Sequence, residues 1–114
     1  MQITNNTFKY NKKMSAFMIT KENILSLVFE SIDDLINDSG KTIKINKNEN
    51  EPLYGKGGSL DSIDLVNFVV MIEEKIESQF NIEIIIGDED VISMENSPFQ
   101  TIGSLVDYIY KKAQ

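Results

Sequence analysis

The sequence predicts an all-α domain: a bundle of three main helices and a short fourth one. Three segments repeat apolar residues at helical spacing, and each follows a residue able to cap a helix. No pair of long alternating strands is present to build a sheet. The chain has 114 residues, 41% hydrophobic and 25% charged, which suits one modest core.

Residues 1–19 are polar, carry Lys9, Lys12 and Lys13, and have no apolar period. They are expected to form a flexible extension, leaving residues 20–114 as the domain. "TKENILSLVFESIDDLINDSG" then supplies Thr20 as N-cap and Gly40 as a C-terminal stop. Ile24, Val28, Ile32 and Leu35 make its core face, flanked by Leu25, Phe29 and Ile36.

Residues 39–60 lose the period. Thr42–Ile45 has strand-like residues, but a long loop is the better reading, pinned to the core by Leu53, Tyr54 and Leu60. Its glycines do not make a phosphate-binding P-loop, because Lys56 is followed by Gly57 rather than Ser or Thr.

Asp61 is placed to cap the next helix, with Ser62 at its first position and Asp64 in its first turn. This helix should run to about Ser78. Leu65, Val69, Ile72, Ile76 and Phe80 form its core face, with Phe68 at the margin. "NIEIIIGDEDV" reads as an extended connector that buries some isoleucines, followed by a short helical turn near Asp88–Ile92. Pro98 breaks the chain before a last helix capped by Thr101. That helix carries Ile102, Leu105, Val106 and Ile109, with Lys111 and Lys112 at its end.

Composition narrows the function. Cys and His are both absent, so there is no thiolate nucleophile, no zinc–thiolate site and no Ser–His–Asp triad within the chain. Autonomous catalysis is therefore disfavoured, although a small carboxylate-dependent enzyme is conceivable. The net charge is −7 and all 11 basic residues are Lys, which argues against nucleic-acid binding and for basic protein partners. Asp88, Glu89 and Asp90 lack the glycine and ligand spacing of an EF-hand, so no metal site is expected. No apolar run approaches the roughly 20 residues of a membrane span. "MSAFMIT" is a poor signal-peptide core, so a cytoplasmic location is expected.

The stretch "GGSLDSIDLVNF" poses the functional question. It sets Ser62 between Asp61 and Asp64, with nothing nearby suited to act as its base. The hydroxyl either helps a helix begin or is presented to another protein. At 100° per residue, Ile63, Val66 and Val70 gather on a sector away from the core face. Glu73 and Glu77 lie on or beside this sector, and Asp64 and Glu74 at its edge. Packing against another helix and docking a partner are both open on this pattern.

"LDSIDLVNFVVMIEE" resembles the attachment-site motif of the acyl carrier protein family, with Asp61–Ser62–Ile63 in place of Asp–Ser–Leu. The resemblance extends through "FNIEI", "SPFQTIGSLVDYI" and the preceding helix, roughly residues 20 to 112. It implies an acyl-carrier-like four-helix bundle. Ser62 would receive 4′-phosphopantetheine from coenzyme A, attached by a phosphopantetheinyl transferase that brings its own base and Mg²⁺. The arm would carry acyl groups as thioesters between acyl-loading and acyl-transferring enzymes. By position, Asp61, Ile63, Asp64, Val66, Val70, Glu73 and Glu74 would dock those partners. Asn67 stands where many fatty-acid carriers have an acid, and the loop before Ser62 is long. These departures suit a stand-alone carrier dedicated to one pathway; the carrier is expected to be non-catalytic and monomeric. An aminoacyl or peptidyl carrier and an unmodified helical interaction module are the alternatives.

Overall fold

A computed structural model describes residues 19–87 and 97–114. Among them are three helices: α1, Lys21–Ser39; α2, Ser62–Phe80; and α3, Ile102–Ala113. The described residues contain no strand, only isolated bridges between Pro52 and Thr101 and between Tyr54 and Leu60. α1 packs against both α2 and α3. No described helix is long and apolar enough to cross a membrane.

α1 starts and stops where its capping residues stand. The Thr20 hydroxyl accepts from the Asn23 backbone N–H at 3.1 Å, and Gly40 ends the helix at φ 70°. Its core face holds the expected Ile24, Val28, Ile32 and Leu35, together with Leu27. Ser31 is also buried there; its hydroxyl donates to the Leu27 carbonyl at 2.8 Å, so no polar group is stranded.

α2 runs two residues beyond Ser78 and ends at Asn81, whose φ is 57°. Leu65, Val69, Ile72 and Ile76 are buried as expected, whereas Phe80 is only half-buried. Phe68 corrects the margin assignment: it is 0% exposed and among the largest side chains of the core. The buried stripe is broad enough to take in both Phe68 and Val69, wider than a two-residue seam.

α3 opens with reciprocal bonds between Thr101 and Ser104, each side chain accepting from the other residue's backbone N–H at 3.1 Å. Ile102, Leu105, Val106 and Ile109 are all buried. Lys111 and Lys112 occupy the last turn, at the negative end of the helix dipole.

The long loop is anchored as expected. Leu53, Leu60 and Ile43 are buried and Tyr54 is half-buried, while Thr42–Ile45 stays outside regular structure. Backbone bonds from Leu53 N–H to the Gln100 carbonyl (2.7 Å) and from Gly103 N–H to the Glu49 carbonyl (2.8 Å) tie it to the start of α3. In the connector after α2, Ile84 and Ile86 enter the core while Ile85 is exposed. Ile19 is 3% exposed and packs in the core, so it belongs with the domain rather than with the expected extension. The remainder of the expected extension, the expected helical turn near Asp88–Ile92 and the acids Asp88, Glu89 and Asp90 lie outside the described residues.

Candidate functional site: an exposed serine at the start of α2

The loop leading to Ser62 is folded back on itself. Leu60 N–H donates to the Leu53 carbonyl at 2.9 Å, and Ser59 Oγ donates to the Lys44 carbonyl at 3.0 Å. Gly58 lies so close to this turn that an added Cβ would collide with the Leu53 carbonyl oxygen. A backbone atom cannot swing aside, so this position admits no side chain without a rearrangement. Leu60 is buried immediately before the helix and fixes where α2 begins.

Asp61 caps α2. Its Oδ1 accepts from the Asp64 backbone N–H at 2.8 Å, and Asp64 Oδ2 accepts from the Asp61 backbone N–H at 3.3 Å. The two aspartates therefore satisfy the helix start between them. Ser62 is left exposed at the first helical position, and its hydroxyl has no hydrogen-bond partner among the described residues.

Lys41 completes the cluster. Its Nζ lies 3.2 Å from Asp61 Oδ2 and 3.0 Å from Asp64 Oδ2, joining the exit of α1 to the start of α2. Asp61 is held below the ordinary carboxylate range, first by the Asp64 backbone N–H and then by Lys41. Lys41 is raised above the ordinary lysine range, first by its bond to Asp64 and then by that to Asp61. An acidified carboxyl is a weak base, and an ammonium that keeps its proton is not a base at all. Neither Asp61 nor Lys41 is shifted toward a group that would take the Ser62 proton.

The face beyond Ser62 is open. Ile63, Val66 and Val70 are 71%, 53% and 45% exposed, and no described element covers them. Helix–helix packing is therefore not what these apolar residues do among the described elements. Asp61 and Glu74 are exposed on the same helix. Asp64 and Glu73, also expected on the docking face, are placed differently. Asp64 is only 4% exposed, because the cap and Lys41 hold it inward. The Glu73 carboxylate accepts from the Ile86 and Gly87 backbone N–H groups at 2.8 and 3.2 Å, fastening the connector to α2.

Two surface grooves, of about 430 and 340 Å³, run along the α1–α2 seam, and Ser62 lines neither. No described cluster of acids could hold a metal ion. Sequence reasoning missed Lys41 and the separate duties of Asp64 and Glu73. The one local signal for Lys41 was its place directly after the helix-ending Gly40. Comparison of the chain with protein-family models, with curated proteins and with solved structures returned no match.

Proposed function

We propose that this chain is a carrier protein of the acyl carrier type, bearing a 4′-phosphopantetheine arm on Ser62. The observation that carries the reading is a division of labour at the start of α2. Asp61 and Asp64 cap the helix, so the exposed Ser62 hydroxyl has no structural task. The chemistry of the site fits such a group. A primary hydroxyl can form a phosphodiester, and backbone N–H groups at a helix start favour the anion.

Attachment is a group transfer between two proteins and coenzyme A. Ser62 Oγ bonds to the phosphorus nearest the pantetheine, the pyrophosphate P–O bond breaks, and adenosine 3′,5′-bisphosphate leaves with the electron pair. The hydroxyl proton passes to a base on the transferase, since neither Lys41 nor Asp61 is suited to take it. When bound, the arm supplies the thiol on which an acyl group rides as a thioester.

The chain's own residues then serve recognition. Ile63, Val66 and Val70 offer a partner an apolar strip. Asp61 and Glu74, both exposed, supply charge that draws in a basic surface. Asp64 holds the cap and Glu73 the connector, so both act on docking through the shape of the site.

Intact-mass measurement after incubation with coenzyme A, Mg²⁺ and a broad-specificity transferase tests the proposal. Wild type gains one phosphopantetheine group, and Ser62→Ala gains none while melting like wild type. Gain at another serine, or none with a transferase proven active on a control carrier, overturns it.

A further inference from the structure

We infer that Lys41 is the counter-charge that lets the first turn of α2 carry an anion on Ser62, a role that rests on the carrier reading above. The first turn already holds Asp61 and Asp64. A phosphodiester on Ser62 would place a third negative group on the residue beside Asp61. The Lys41 ammonium, 3.2 and 3.0 Å from the two carboxylates, is the one described cation paired with either of them.

Three features suit Lys41 to this role. Its backbone is fixed: Gly40 turns the chain at φ 70°, and Lys41 N–H donates to Ser39 Oγ at 3.1 Å. Its ammonium has donor capacity left, because it carries three N–H groups and bonds two acceptors among the described residues. Its side chain is 50% exposed, so the ammonium is open to solvent while it holds the two carboxylates. The backbone N–H groups of Ser62 and Ile63 also have no acceptor among the described residues. An anion on Ser62 would thus join a first turn that has unused backbone donors and whose two acids are already paired with Lys41. Lys41 acts by positioning and charge balance, and it takes no proton from Ser62.

A thermal-melting cycle tests this, using wild type, Lys41→Met, Ser62→Asp and the double variant at low and high salt. Ser62→Asp puts an anion at this position without any transferase. The same comparison is then made between apo and arm-bearing forms of wild type and Lys41→Met, with the mass of each sample checked. At low salt, the anion on Ser62 should lower Tm by roughly 4–8 °C more without Lys41 than with it, and high salt should close the gap. Lys56→Met, which removes an exposed lysine from the preceding loop, should leave the effect of the anion unchanged. Equal shifts with and without Lys41, or a gap that salt leaves untouched, overturn the inference. If Lys41→Met does not fold, Lys41→Gln, which keeps hydrogen-bond donors without the charge, takes its place. If no arm is found on Ser62, the carrier reading falls, while the Ser62→Asp arm still decides the role of Lys41.

Discussion

Placing the same charge at Val66 and at Val69 separates a docking surface from a core. The two residues lie close together on α2, but Val66 is 53% exposed and Val69 is 4% exposed. Val69 also lies against the connector: a Cβ built on Gly87 would stand 2.6 Å from its Cγ1. Val69→Asp forfeits about 1.5–3 kcal/mol of apolar burial. It also puts a carboxylate into the buried interior, at several kcal/mol more. The sum rivals the roughly 5–15 kcal/mol that holds a typical domain folded, so Val69→Asp should lose its cooperative melt. Val66→Asp changes a solvent-facing side chain and should stay within about 0.5 kcal/mol of wild type. Its effect belongs to docking, where a charge set in the middle of an apolar contact should slow transfer by about 10-fold, equivalent to about 1.4 kcal/mol. Circular-dichroism melts and transferase kinetics across a salt series measure both. Association should also slow as salt rises, because exposed acids steer the encounter. Equal unfolding by the two substitutions, with salt-insensitive association, would rule out a docking surface and reduce this face to core.

Three further outcomes follow from particular contacts. Gly58→Ala should cost about 1–3 kcal/mol, seen as a lower urea midpoint, because its methyl meets the Leu53 carbonyl; wild-type stability would show that the turn yields freely. Ile19→Ala should cost about 2–4 kcal/mol by the same assay, since Ile19 is 3% exposed within the core; a neutral result would place it outside the cooperative unit. Because Asp61 is held below its ordinary range in the folded state, its share of stability is complete above the unfolded value and is lost as pH falls through the folded one. The gap in urea midpoint between wild type and Asp61→Asn should therefore narrow as pH falls below about 4, and a gap that does not narrow on acidification would contradict this.

What could be read from the sequence was local. Thr20, Gly40, Asp61 and Thr101 act within one helical turn of their own positions, and each stands where its helix begins or ends. The Ile63–Val66–Val70 sector follows from helical geometry, but its exposure depends on what α1, α3 and the connector leave uncovered. Phe68 was misplaced for the same reason: projecting one helix gives the direction of the core but not its width. Lys41 reaches acids 20 and 23 residues away, and Glu73 takes N–H groups 13 and 14 residues on. Such pairings arise only when the chain folds back, and nothing local names the partners. The three glycines before Ser62 showed a loop; that Gly58 is the one with no room for a side chain depends on its distance from Leu53.

The most direct measurement is tandem mass spectrometry of the peptide spanning Ser62, taken from protein recovered from its native cells. The expected result is a phosphopantetheine group on Ser62, with a share of the arms carrying an acyl or aminoacyl group that hydroxylamine releases from the thiol. A peptide recovered only with a free Ser62 hydroxyl, from cells whose known carrier proteins are found modified in the same digest, would contradict it.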